Sequence, residues 1–527
     1  LGREPVLHPV QISLGPTLIG LAPPIPDGRD RDTVIHGSLR RFCVKPPVAV
    51  PELHRKFRKF VRKWLRENLK PLSEADVLTY AEWLSQTNYP QWRKDELLKE
   101  WERNANNFSG GKPMVGRRFK KLGSFCKVET YPKYKAARAI NARSDAFKNF
   151  TGRFFKSIEN KLFELPWFIK HIPVCERSEY MKQVFVGWSG PYYQTDYSHF
   201  ESHFTKEYLH IAEFQLYKYM LSAFPQEMEQ ICGTMAGVNR CSFNEFEISV
   251  EACRMSGEMC TSLGNGFSNL MNTLFLVELK SGSYTHCTGV VEGDDGLFAS
   301  RVPLTKDDYK SIGFDIKIEE CEEVLTASFC GIVASVDGSP LADPRQILLN
   351  FGWSHSPTIS ASERVRKGLL RAKALSLLYE HPNCPIITPF ALRYVHLTDG
   401  SEPIWSSNWY ERMLEKEVKL FAKQTLAAAK RPITGEVRSQ FERLYNIDVV
   451  TQMKIEQNLS TYSLNVIHDT DLLLLYRGIE FDDARDYYSR YVMPITDSVG
   501  RCCSKPVLDV TGVNVTYLGP RRARYSH

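Results

Sequence analysis

The segment Thr288-Gly-Val-Val-Glu-Gly-Asp-Asp-Gly-Leu-Phe-Ala299 reads as two short apolar strands around a tight turn. Val290 and Val291 lead into the turn, Leu297 and Phe298 lead out, and Gly293 and Gly296 flank Asp294-Asp295. Glycine suits a hairpin tip because such turns need backbone angles that other residues resist. Two adjacent carboxylates there repel each other, and a divalent cation would relieve the repulsion. Taken alone, the pattern is also that of a solvated turn, and Asp-Asp recurs at 307–308 and 482–483.

A second acidic strand adds to it. Tyr192-Tyr-Gln-Thr-Asp-Tyr-Ser198 is rich in β-formers and carries Asp196, followed five residues later by Glu201. If the strands bearing Asp196 and Asp294 lie side by side, their carboxylates can hold two Mg²⁺ ions at ~3.5–4 Å. Between them, Ser256-Gly257 forms a loop and a helix should run on through about Glu278. Its apolar face is Met259, Leu263, Phe267, Leu270, Met271, Leu274 and Phe275; Thr261, Asn265, Ser268 and Asn272 follow one another at helical spacing on the other. Short polar donors beside an acidic site are suited to reading a sugar hydroxyl, although a helix with a solvated polar edge would look the same.

Charge is unevenly spread along the 527 residues. The net +7 combines +9 between His36 and Lys70, +11 between Gly111 and Lys156, and −13 elsewhere. Cations hold a polyanion through counterion release while carboxylates elsewhere hold metal, a division that fits a phosphodiester-handling enzyme. In the first basic block Leu53, Phe57, Phe60, Val61, Trp64 and Leu65 form a helical apolar stripe with Arg and Lys on the other face. It reads first as a helix packed on a core; its basic face is also compatible with RNA or a membrane surface. No stretch approaches the ~20 apolar residues of a membrane-spanning helix. Thirteen scattered cysteines without a C-x-x-C pair point to reduced thiols, not a disulfide or zinc framework. His199 and His203 bracket Glu201 without forming His-Glu-x-x-His, so a zinc protease is not supported, and Ser256 has no His/Asp partners in motif order.

In order, Asp196-x4-Glu201, Ser256-Gly257-x3-Thr261-x3-Asn265 and Gly293-Asp294-Asp295 resemble motifs A, B and C of viral RNA-dependent RNA polymerases. The wording Arg254-Met-Ser-Gly-Glu-Met-Cys-Thr-Ser-Leu-Gly-Asn265 is most similar to the tombusvirus-like branch of positive-strand RNA viruses. The Gly-Asp-Asp-Gly-Leu ending is similar to nodavirus-like enzymes. The resemblance covers residues 120–335 and implies an α+β right-hand fold with a central antiparallel sheet. The expected parts are an N-terminal arm bridging fingers and thumb (1–50), fingers (51–183), a palm in two parts (184–224 and 251–345) split by a finger insertion (225–250), and a helical thumb with a tail (346–527).

The resemblance also implies roles. Asp196, Asp294 and Asp295 would hold two Mg²⁺ or Mn²⁺ ions and serve catalysis. Lys127, Lys135, Arg138 and Arg143 match the basic motif F and would grip the incoming triphosphate. Ser256, Gly257, Thr261, Asn265 and Glu201 would contact the nucleotide. Glu201 stands where family members usually carry Asp, so its contact with the ribose 2′-hydroxyl is an expectation. Lys317 is the candidate to protonate the departing pyrophosphate, with Lys310 as rival, and Ser328-Phe-Cys-Gly331 resembles motif E. The implied partners are single-stranded RNA template, nascent RNA and ribonucleoside triphosphates. Other viral replication proteins and, through them, host membranes of the cytoplasm are further expected partners. A reverse transcriptase or a non-catalytic nucleic-acid-binding protein are the rival readings; Glu292-Gly293 before Asp294 argues against the former, which usually places an aromatic residue there.

Overall fold

The computed structural model describes residues 12–21, 23, 25–26, 28–109, 117–130, 137–354, 362–405, 409–477 and 514–517. The fold is mixed α+β. At its centre four antiparallel strands run in spatial order Cys287–Glu292, Asp295–Ser300, Tyr192–Tyr197, Ile316–Cys321. The Tyr192–Tyr197 strand is interior to the sheet and alternates: Tyr193, Thr195 and Tyr197 are buried on one face, while Gln194 and Asp196 point to the other. Helix Thr261–Ser281 backs the buried face, and Asn265 through Val277 on it are all buried.

That helix is in turn covered by helix Pro51–Asn68, starting from Pro51 at its first position. Phe57 meets Phe275 with ring centroids 4.9 Å apart and Trp64 meets Phe267 edge-on at 6.0 Å. The apolar stripe of the first basic block therefore packs on the main core, and its cations face outward. Burying a Trp such as Trp64 is worth about 3–5 kcal/mol against Ala.

A second sheet, order Asn514–Tyr517, Phe246–Glu251, Val238–Ser242, Lys121–Cys126, Ala139–Arg143, joins distant parts of the sequence. The 225–250 region is thus one helix, Pro225–Met235, followed by a hairpin built into this sheet. The basic region 111–156 also contains the start of helix Asp145–Leu162, whose N-cap is Ser144. Beyond Asn350 helices dominate, among them Glu363–Glu380, Trp409–Leu420 and Ala422–Ala429.

The described part of the N-terminal segment is anchored at two places. Ile12–Ser13 pairs with Trp353–Ser354, and Leu14 and Leu18 enter the core of the C-terminal helices. Helix Arg31–Phe42, capped by Asp30, then packs Val34, Ile35 and Phe42 in one cluster with Ala137 and with Leu122 and Ala139 of the second sheet. Asp30, accepting from the Thr33 amide, starts this helix. Among the described residues, no helix is long and apolar enough to cross a membrane.

Candidate active site

The hairpin closes with Glu292 opposite Asp295, leaving Gly293-Asp294 as a two-residue loop. Gly293 has φ +60°, the signature of a type II′ turn with glycine first. Gly296 is required for another reason: a Cβ there would lie 2.6 Å from Thr195 Oγ1 and from the Phe298 ring. The adjacent strand pairs Thr195 with Gly296, so the next step of the ladder sets Asp196 beside Asp295. Asp196 also faces Lys317 on its other side. Asp196, Asp295, Lys317 and Cys330 line one open cavity of about 170 Å³ at the strand ends.

The carboxylates there are electrostatically strained. Burial, then Glu201, raise Asp294 above the ordinary aspartate range, with Asp196 adding to the effect and Arg138 opposing it. Burial and the neighbouring Asp294 push Asp295 up to about 7, although the Cys330 thiol donates to its Oδ2 at 3.5 Å. Among the described residues no three ligating side chains are drawn together closely enough to form a metal cage. The donor set is nevertheless of the right kind: hard oxygen ligands whose repulsion a divalent cation would offset.

Asn269, which the sequence reading passed over, fastens the turn. Its Nδ2 donates to the carbonyls of Asp295 at 2.9 Å and Gly293 at 3.3 Å. The polar stripe of the helix does not face the acidic site as a unit but divides. Asn272 bonds the hydroxyls of Tyr208 (2.8 Å) and Tyr197 (3.3 Å), and Ser268 is buried in the core. The i, i+4 spacing from Asn265 to Asn269 was the available signal.

At the start of this helix the glycine loop is tightly held. Gly257 has φ +111° and a Cβ would lie 2.7 Å from Ile140, so no other residue fits without displacement. Thr261 Oγ1 accepts from the Gly257 amide (3.3 Å) and donates to the Met255 carbonyl (3.2 Å). Asn265 Oδ1 accepts from Arg254 Nε at 2.9 Å, which fixes the amide orientation. Arg254 is fully buried, paired with Glu213 and stacked over Phe204. Ser256 Oγ donates to Glu201 Oε1 at 2.7 Å. Glu201 is buried, which by itself raises its pKa; Arg41 and the Ser256 hydrogen bond outweigh that and hold it below the usual range.

The expected motif F cations fare differently. Lys127 and Arg138 both pair with Glu129, at 2.7 and 3.4 Å. Arg138 also reaches Asp294 and Glu201 electrostatically. Lys135 lies outside the described residues. Arg143 corrects the expectation of a triphosphate ligand: its side chain is 2 % exposed, paired with Glu258 and donating to Asn239 at 2.8 Å. It sits on the same strand face as buried Ala139 and Asn141, so it ties the strand to the glycine loop. Lys317 is 64 % exposed and pairs with Glu319 at 2.8 Å, whereas Lys310 lies on helix Lys306–Ser311 beside Asp307. His203 is a satisfied core histidine, Nδ1 donating to the His199 carbonyl and Nε2 accepting from the Asp315 amide, both at 3.0 Å.

Sequence comparison adds an independent line. The RNA-directed RNA polymerase of Tobacco necrosis virus (strain D) is 28% identical over 239 residues, 40% of this chain and 32% of that protein. The enzymes of the same name from Striped jack and Atlantic halibut nervous necrosis viruses are each 24% identical over about half of this chain and 26% of their own length. The chain thus aligns with about a quarter to a third of each relative, and the matches are consistent with both branches that the motif wording resembles. A family model described as viral RNA dependent RNA polymerase matches residues 112–466, reaching well past the motifs into the C-terminal helices. With more than half of its length inside that match, the chain belongs to the viral RNA-dependent RNA polymerase family.

Proposed function

We propose that this chain copies single-stranded RNA by adding ribonucleotides to a growing 3′ end, in replication and transcription of a viral genome. The observation that carries the reading is the strand register that sets Asp196 beside Asp295, with Asp294 at the turn. When bound, two Mg²⁺ or Mn²⁺ ions would activate the attacking 3′-hydroxyl and neutralise charge on the transferred phosphate and pyrophosphate. Asp196, Asp294 and Asp295 would hold them. Arg138, Lys127 and Lys135 orient the triphosphate. Asn265 and Glu201 address the ribose, and the Ser256-Gly257 loop sets their spacing. Lys317, its pKa raised by the Glu319 hydrogen bond and charge, supplies a proton to the leaving group across the sheet from Asp196.

In this reading residues 1–50 are an arm spanning from thumb to fingers, 51–183 with the 225–250 insertion are fingers, 184–224 and 251–345 the palm, and 346–527 thumb and tail. The Leu14–Leu18 anchorage in the C-terminal helices and the Val34–Phe42 anchorage in the second sheet support that placing of the arm. RNA is held through phosphates and sugars, other viral proteins complete the replicase, and the complex works at host cytoplasmic membranes through those partners.

The test is incorporation of labelled ribonucleotides on a single-stranded RNA template with Mg²⁺ or Mn²⁺, comparing the chain with Asp294→Ala. Template-directed product lost in the variant is the expected result. Product retained by Asp294→Ala would remove the metal assignment, and product on no template would remove the function.

A further inference from the structure

Two separate segments converge on Glu201, with three donors between them. Its backbone carbonyl accepts from the Arg254 amide at 3.0 Å, and its Oε1 takes the Ser256 hydroxyl at 2.7 Å. The third partner comes from 160 residues away: Arg41 Nη1, at the end of helix Arg31–Phe42, donates to the same Oε1 at 2.6 Å. Glu201 is only 9 % exposed, so its charge must be paired to be tolerated where it stands, and Arg41 is the cation that pairs it.

The helix carrying Arg41 is seated too closely to drift. A Cβ at Gly37 would lie 2.2 Å from the Ala137 carbonyl, so backbone meets backbone there, one residue before Arg138. Val34, Ile35 and Phe42 are buried around that contact. Both side-chain donors to Glu201 meet at one oxygen, Oε1. Glutamate has one more rotatable bond than aspartate, so a second fixed donor is needed to hold it in one rotamer.

We propose that Arg41 is a positioning residue for sugar recognition: by fixing Glu201 Oε1 it presents Oε2 to the 2′-hydroxyl of the incoming ribonucleotide, making the N-terminal arm part of the ribose-selecting site. This rests on the polymerase reading above. A fixed acceptor gains more from a hydroxyl than a mobile one, because the entropy of ordering the side chain has already been lost on folding. The 2′-deoxy sugar leaves the acceptor without its partner and forgoes that gain.

The experiment is single-nucleotide incorporation by the full chain on an RNA template with Mg²⁺, measured for a ribonucleoside triphosphate and its 2′-deoxy counterpart. Arg41→Gln should cut the preference for ribose about tenfold, mainly through a higher KM for the ribonucleotide. Arg41→Lys, which keeps a cation, should restore most of the preference. Glu201→Gln should lose it as well, and the double variant Arg41→Gln/Glu201→Gln, which removes both charges together and so guards against misfolding of the single variant, should lose no more than Glu201→Gln alone. Equal losses for both sugars in Arg41→Gln, or an unchanged preference, would reduce Arg41 to a structural ion pair and overturn the inference. An unchanged preference in Glu201→Gln would overturn it too, at the carboxylate. Failure of the unaltered chain to incorporate either nucleotide overturns the polymerase reading itself, a different outcome from all of these.

Discussion

The raised pKa of Asp295 would make the proposed divalent-ion binding a proton-release reaction. Burial and the Asp294 charge place its pKa at about 7 against 3.8 for an ordinary aspartate. At pH 6 about nine in ten of these carboxyls then carry a proton, and at pH 8 about one in ten. A cation that needs the carboxylate must displace that proton, so binding should release about 0.9 proton at pH 6 and about 0.1 at pH 8, with apparent affinity about tenfold weaker at the lower pH. Mn²⁺ titration calorimetry in two buffers of different ionisation enthalpy reads the proton count directly. Asp295→Asn should remove this share of the release. The same shift fixes a sign for stability without metal. Between about pH 4 and 7 the folded chain keeps a proton that the unfolded chain has lost, so stability falls as pH rises through that window. At ~1.4 kcal/mol per unit the ceiling is about 4 kcal/mol, and partial solvent access reduces it to about 2. Saturating Mn²⁺ should flatten the fall. Equal heats in both buffers at pH 6, together with affinity unchanged from pH 6 to 8, would refute the reasoning.

Arg254→Met strands the fully buried Glu213 and should cost about 3–5 kcal/mol in urea denaturation, with Glu213→Gln added to it recovering most of the loss; a single-variant cost below about 1 kcal/mol would mean Glu213 finds another partner. The two turn glycines should separate by mechanism. Gly293→Ala meets open space and pays only for its positive φ, about 1 kcal/mol, whereas Gly296→Ala collides with Thr195 and Phe298 and should lose about 1–3 kcal/mol together with Mn²⁺ affinity. Asn269→Leu removes both amide bonds to the turn, so hydrogen exchange at the Gly293–Asp295 amides should accelerate while the amides of the Pro51–Asn68 helix keep their protection.

What the sequence disclosed and what it hid follow from how far each interaction reaches. The hairpin and the Asp196 strand are legible because their signals are local: apolar pairs bracket a glycine turn, and a β-rich run carries one acid at the right parity. Helix Thr261–Ser281 is legible for the same reason, but which of its polar residues meets the turn depends on the rotation of the helix against the sheet, and that is set by Phe57, Trp64 and their partners over 200 positions away. Arg143 was misread although its strand offered a clue, since Ala139, Asn141 and Arg143 alternate onto one face and that face is buried. Arg41 offered none: it is one of eleven cations between His36 and Lys70, and only the folded arm singles it out. These cases bear on the charge argument itself. The +11 between Gly111 and Lys156 counts Arg143, which is neutralised inside the core, and Lys127 and Arg138, which share Glu129. Counting charge along a chain therefore overstates what a segment offers to an anion. Glu129 lies between the cations it restrains, so in the proposed reading an arriving triphosphate would compete with it, and part of the binding energy would go into breaking those pairs.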